Sequence, residues 1–293
     1  MSHGLFSGIW VALVTPFHNG KVDHAALKKL VRHYGQTKVS GLVALGTTGE
    51  AATLSDDEQD AVLDTVLNNA ASVPVMVGLA GVHQGAMLER LRTLSNRPVA
   101  GVLIPAPYYV RPSQQGIAEH FTRLADASAQ PIVLYDIPYR SGVTMALETI
   151  LALAEHSNIQ AIKDCGGALD KTQALIADGL LAVLAGEDLN IFNTLCMGGQ
   201  GAITAAAHPR PDLFVAMHQA VQAQHLRQAR EIFHALAPMI QALFAEPNPC
   251  GIKAALHQLG WLDNELRPPM TTAGESTHAG IAQALAALNA QHC

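Results

Sequence analysis

The sequence predicts an α/β fold: one (β/α)₈ barrel followed by a C-terminal helical appendage. Three observations point there. The chain has 293 residues, more than an ordinary domain of roughly 100–200 but a good length for a barrel with an addition. Eight short apolar runs recur along it, and most are continuous rather than alternating, as expected of parallel strands buried on both faces. A stretch with helical periodicity follows each run, and the run starts lie about 20–35 residues apart, the size of a strand–helix unit.

The runs are residues 9–15, 41–45, 74–79, 101–105, 131–136, 159–163, 181–185 and 201–205. After the first, Leu27, Leu30, Val31 and Tyr34 share one helical face. After the second, Ser55 precedes "DDEQDAVLDTVL", whose acidic first turn suits the positive end of a helix dipole. Ser113 opens "SQQGIAEHFTRLADA" in the same manner. Past residue 210 the strand signal fades. A long helical stretch spans "DLFVAMHQAVQAQHLRQAREIFHALAPMIQALF", and "PCGIKAALHQLG" and "STHAGIAQALAALNAQ" supply two more helices. No Ser/Gly-rich linker marks the junction. The expected organisation is therefore a TIM barrel over 1–210 with a helical region, 211–293, packed on it.

Composition excludes several classes of function. Apolar residues are 49% of the chain, so a large core can form. Eighteen Lys and Arg against 24 Asp and Glu give a net charge of −6, without the basic footprint of a nucleic-acid binder. Cys165, Cys196, Cys250 and Cys293 lie far apart, with no C-x-x-C, as in a protein of the reducing cytoplasm. Residues 1–17 resemble neither a signal peptide nor a membrane span. The fourteen histidines include no H-E-x-x-H, and neither G-x-G-x-x-G nor a P-loop sequence occurs.

In a barrel of this kind the chemistry sits at the carboxyl ends of the strands. Lys163 is the sharpest feature there. Of seven lysines it alone lies inside an apolar strand, "IQAIKDCGG". Burial of an ammonium is costly, and desolvation favours the neutral amine, a nucleophile toward carbonyls. Ion pairing with Asp164 is the structural alternative, but adjacent residues of a strand face opposite ways. Cys165 shares the face of Lys163 and is expected to be a buried thiol. Four of the five tyrosines, Tyr108, Tyr109, Tyr135 and Tyr139, crowd two strand ends. Their phenols can relay protons or simply pack; Tyr109 and Tyr135 are the relay candidates and Tyr139 is expected to pack. Gly46-Thr47-Thr48-Gly49 can hold a carboxylate, though such a loop is also ordinary. Arg140 offers a planar fork to a second carboxylate, or else a surface ion pair.

The whole pattern resembles the dihydrodipicolinate synthase / N-acetylneuraminate lyase family of Schiff-base-forming pyruvate aldolases. The resemblance runs from "GIWVALVTPF" through "GTTGEAATL", "PYYVRPSQQGIAEHF" and "LYDIPYRSG" to "EPNPCGIKAAL" and "LRPPM". It implies that Lys163 attacks the keto carbon of pyruvate. It places Thr47 and Thr48 at the pyruvate carboxylate, with Thr47 also in a proton relay. Tyr135 passes protons at the imine, and Tyr109 reaches a neighbouring subunit's site. Arg140 receives the carboxylate of aspartate semialdehyde, and Ile203 lies beside pyruvate. The implied reaction condenses pyruvate with L-aspartate 4-semialdehyde on the route to diaminopimelate and lysine. It needs no metal and no organic cofactor, in a cytoplasmic homotetramer built as a dimer of dimers, with no nucleic acid or membrane partner. The alternatives are a lyase or dehydratase-aldolase of a 2-keto-3-deoxy sugar acid or a sialic acid, and an inactive binding or regulatory paralogue. Arg140 favours a short acidic aldehyde over a polyhydroxylated substrate. The chain differs from close relatives in Asp164-Cys165-Gly166-Gly167 after the lysine, Ala51 for serine, Asp136 for asparagine and "GLAGVHQG" after the third strand. These differences bear on the second substrate more than on pyruvate.

Overall fold

A computed structural model describes residues 4–291; Cys293 lies outside them. The strands are β1 (Gly8–Ala12), β2 (Phe17–His18), β3 (Lys21–Val22), β4 (Gly41–Ala44), β5 (Val75–Gly78), β6 (Gly101–Pro105), β7 (Ile132–Asp136), β8 (Ile159–Asp164), β9 (Ala182–Ala185) and β10 (Gly201–Thr204). Strands β2 and β3 form a small antiparallel hairpin, and the other eight close a barrel in the order β1-β10-β9-β8-β7-β6-β5-β4. Each barrel strand falls on one of the eight expected runs. The hairpin was not legible, because two-residue strands have no period to detect.

The described residues form two compact units, residues 4–8 with 75–203, and residues 9–74 with 204–291. In the first, β5 to β9 pair in parallel in sequence order, and every residue of β7 is buried. The helix Gln114–Ala127 starts at Ser113, whose hydroxyl accepts from the Gly116 amide. In the second, β1 pairs with β4, and Trp10 is in register with Gly41. A side chain at Gly41 would collide with the buried Trp10 ring, so glycine is required there. Ser55 and Glu58 cap the helix Asp56–Leu67 reciprocally, with Asp56, Asp57 and Glu58 in its first turn. The long helix expected after residue 210 is two, Pro211–Gln222 and Leu226–Leu243. The chain turns at Gln224, which takes a left-handed φ of 62°, a break that continuous apolar periodicity conceals.

The second unit holds a buried polar contact with a pH consequence. His208 Nε2 donates to the Ala12 carbonyl at 2.9 Å, and its Nδ1 accepts from the Tyr34 hydroxyl at 2.6 Å. Burial lowers the His208 pKa to about 4. Between pH 6.5 and about 4 the unfolded chain therefore binds a proton that the folded chain refuses. Stability falls as pH drops through this window, by about 3 kcal/mol in all. Urea unfolding at pH 7 and pH 4.5 tests this: a His208→Gln variant should lack that part of the loss, and identical pH dependence in both proteins would refute the assignment.

Candidate active site

Strands β7 and β8 bring the expected nucleophile, Lys163, and its expected proton partner, Tyr135, together. Tyr135 and Lys163 are register partners. Both are buried, Lys163 at 9% exposure. The Nζ lies 3.4 Å from the Tyr135 hydroxyl and 4.4 Å from the ring centroid. This geometry suits an amine that must lose and regain protons, since a phenol can do both. Gly186, after β9, leaves room for the lysine stem. A β-carbon there would sit 2.9 Å from Lys163 Cγ, 3.0 Å from Cε, and against Cys165 Sγ. Cys165 thus shares the lysine's face, as alternation requires. Burial pushes its thiol pKa up, against the pull of the Lys163 charge, so it stays protonated.

The loops after β6, β7 and β9 carry the other expected groups of this unit. Arg140 is exposed in the short helix Pro138–Ser141, which ends at Gly142 with a φ of 76°. Its guanidinium lies 6.0 Å from the Tyr139 ring centroid. Tyr139 does not pack into the core. It is 66% exposed, and its hydroxyl donates to Glu187 at 2.8 Å. A strand-end tyrosine in an apolar context reads as packing because its loop partner is 48 residues away. Tyr109 is 90% exposed and has a φ of 68°; its amide donates to the Ser141 carbonyl, tying this loop to the Arg140 turn. The single chain does not bring Tyr109 to Lys163. Ile203 is buried in β10.

In the other unit, Thr47–Gly49 form a 3₁₀ turn directly after β4. Thr47 is exposed and Thr48 is buried. Gly49 passes so close to β1 that an added β-carbon would lie 3.2 Å from the Leu13 carbonyl, and its own carbonyl accepts from the Thr15 hydroxyl at 2.7 Å. Thr48 Oγ1 accepts from Asn248 Nδ2 at 2.9 Å. Glu50 ends the turn with a left-handed φ of 52°. Its carboxylate meets Lys253 Nζ at 2.5 Å and accepts from the Arg267 amide at 3.1 Å. Lys253 is fully buried, also donates to the Glu265 carbonyl at 2.8 Å, and lies 4.1 Å from the Phe17 ring centroid. Burial brings its pKa down to about 8 against the attraction of Glu50. Lys163 is the lysine inside a barrel strand, as expected, but Lys171 and Lys253 are buried too, on helices and each in an ion pair. The signal for Lys253 was its apolar setting in "GIKAAL", a motif otherwise read only as helix.

The family model of the dihydrodipicolinate synthetase family matches residues 5–288. The chain belongs to that family. A 4-hydroxy-tetrahydrodipicolinate synthase of Clostridium acetobutylicum is 39% identical over 273 residues, covering 92% of this chain and 96% of that protein. The crystal structure of a dihydrodipicolinate synthase from Thermotoga maritima superposes with a TM-score of 0.95 at 31% identity, covering 97% of this chain and 99% of that one. A dihydrodipicolinate synthase from Acinetobacter baumannii, crystallised with pyruvate, matches at 32% identity and a TM-score of 0.94 over 97% and 99% of the two chains. Among the described residues no group of three or more His, Cys, Asp or Glu could hold a metal ion. No helix among them is long and apolar enough to cross a membrane.

Proposed function

We propose that Lys163 is the Schiff-base nucleophile of a synthase that condenses pyruvate with L-aspartate 4-semialdehyde to 4-hydroxy-tetrahydrodipicolinate, in lysine and diaminopimelate biosynthesis. The observation that carries this is the buried Lys163 amine 3.4 Å from the Tyr135 hydroxyl at adjacent strand ends. The amine adds to the keto carbon of pyruvate and water leaves, giving a protonated imine. The imine draws electrons from the methyl group. Loss of a methyl proton gives the enamine, whose carbon attacks the aldehyde carbon and forms the C–C bond. The amino group of the second substrate then adds to the imine carbon and displaces Lys163, closing the ring.

Tyr135 moves protons to and from the nitrogen and the leaving water. Thr47 and Thr48 hold the pyruvate carboxylate, with Thr47 in the relay, and Ile203 supplies apolar surface beside pyruvate. Arg140, exposed on its short helix, takes the carboxylate of the aldehyde substrate. Tyr109 serves a neighbouring subunit: an exposed phenol on a loop with a left-handed φ, flanked by exposed Tyr108 and Val110, is a surface suited to burial in an oligomer. The assembly is a homotetramer built from dimers. Free Cys165, Cys196 and Cys250 suit a cytoplasmic setting.

The test is turnover with pyruvate and a panel of aldehydes, with the products weighed by mass spectrometry. Aspartate semialdehyde should be consumed preferentially, and Arg140→Ala should raise its KM far more than that of pyruvate. Preference for a sugar-acid aldehyde, or an equal rise in both KM values, would overturn the proposed second substrate.

A further inference from the structure

We infer that Asp136 and Lys171 are positioning residues, whose buried ion pair holds the ends of β7 and β8 and the Arg140 turn in working register. This rests on the Schiff-base role proposed for Lys163. Along β7 and β8, Tyr135 and Lys163 face one way, and their neighbours Asp136 and Asp164, also register partners, face the other. On that reverse face Lys171 Nζ, from the first turn of the helix Leu169–Asp178, is bonded to the Asp136 carboxylate. The same Nζ donates to the Met145 carbonyl at 3.3 Å, and the Met145 amide donates to Asp136 Oδ1 at 3.2 Å. Asp164 accepts from the Thr172 hydroxyl at 2.5 Å and from the Gly166 amide at 2.8 Å. The Asp136 side chain is fully buried, and that of Lys171 nearly so.

The cluster ties three pieces of chain that carry the site. One is the β7 end, with Tyr135. The second is the β8 end, with Lys163, whose continuation is also held by the Cys165 amide on the Asp136 carbonyl at 2.8 Å. The third is the segment from Asp136 to Met145, which contains Arg140 and is closed by the Asp136–Met145 bond. The cluster also explains the glycine after Cys165. A β-carbon at Gly166 would lie 2.6 Å from Lys171 Nζ, 2.8 Å from Asp136 Oδ2 and 3.0 Å from Asp164 Oδ1. The charged groups occupy the space a side chain would need. Asp136 and the Gly166 run are thus parts of one device.

The test compares Lys171→Met with Asp136→Asn/Lys171→Met, in which the amide oxygen still serves the Met145 amide but neither charge is present. Circular dichroism verifies folding, and borohydride trapping with pyruvate reads the rate of imine formation. Lys171→Met should trap pyruvate about 10- to 100-fold more slowly, the scale expected when reacting groups shift by around an ångström. The double variant should recover most of that loss. If Lys171→Met does not fold, Gly166→Ala serves instead: its methyl displaces the ammonium without removing a charge, and trapping should slow likewise. Wild-type trapping rates in a folded Lys171→Met or Gly166→Ala protein would overturn the inference, as would a double variant no faster than the single one. An unlabelled wild type would remove the Schiff-base role and this inference with it. A labelled wild type with unaltered variants removes this inference alone.

Discussion

Incubation with pyruvate followed by borohydride should attach one reduced pyruvyl group to the chain, at Lys163. The sequence has seven lysines, and three of them are buried. Lys171 and Lys253 are tied to Asp136 and Glu50, so an attacking lone pair would require breaking a buried ion pair first. Lys163 instead faces a phenol, and glycine at position 186 leaves its stem uncrowded. Lys163→Ala should abolish both the label and turnover. Tyr135→Phe should keep the fold and lower turnover by about 10²–10³, the usual contribution of a general acid–base. Peptide mapping decides the matter: a label on Lys171 or Lys253, or one that survives Lys163→Ala, would refute the mechanism.

The second large effect is on stability. Lys253→Met should destabilise the protein by about 3–5 kcal/mol, because it strands the Glu50 carboxylate in the interior without its cation. The pair has no access to water at the lysine, and Glu50 is almost as buried. Among the described residues the Arg267 amide remains as the hydrogen-bond donor to the carboxylate, with the Arg267 guanidinium also attracted to it. Glu50→Gln/Lys253→Met should recover most of the loss, since removing both charges also removes the desolvation cost. Urea unfolding at pH 7 measures each variant; equal stability of wild type and Lys253→Met would show that the pair contributes nothing. Because Glu50 terminates the Thr47–Gly49 turn, the single variant should also raise the KM for pyruvate.

The parts of this protein legible in the sequence were those with local or periodic causes. Eight apolar runs, most of them continuous, mark eight parallel strands because a strand covered on both faces has few polar positions. Ser55 and Ser113 mark helix starts because a cap is a contact between residues three apart. Lys163 stood out because a charge inside such a run is costly, and the alternation of strand side chains separated it correctly from Asp164. Tertiary structure decided what depends on distant partners. The contact of Tyr139 with Glu187 spans 48 positions, and that of Asn248 with Thr48 spans 200. The burial of Lys171 is invisible locally, since its helix has exposed positions that would accept a lysine equally well, and the apolar setting of Lys253 in "GIKAAL" hints at burial without naming a partner. What makes those two sites habitable for an ammonium is a carboxylate brought by another element, Glu50 for one and Asp136 for the other. Such pairing is set by how elements meet, and no period or spacing within either segment records it.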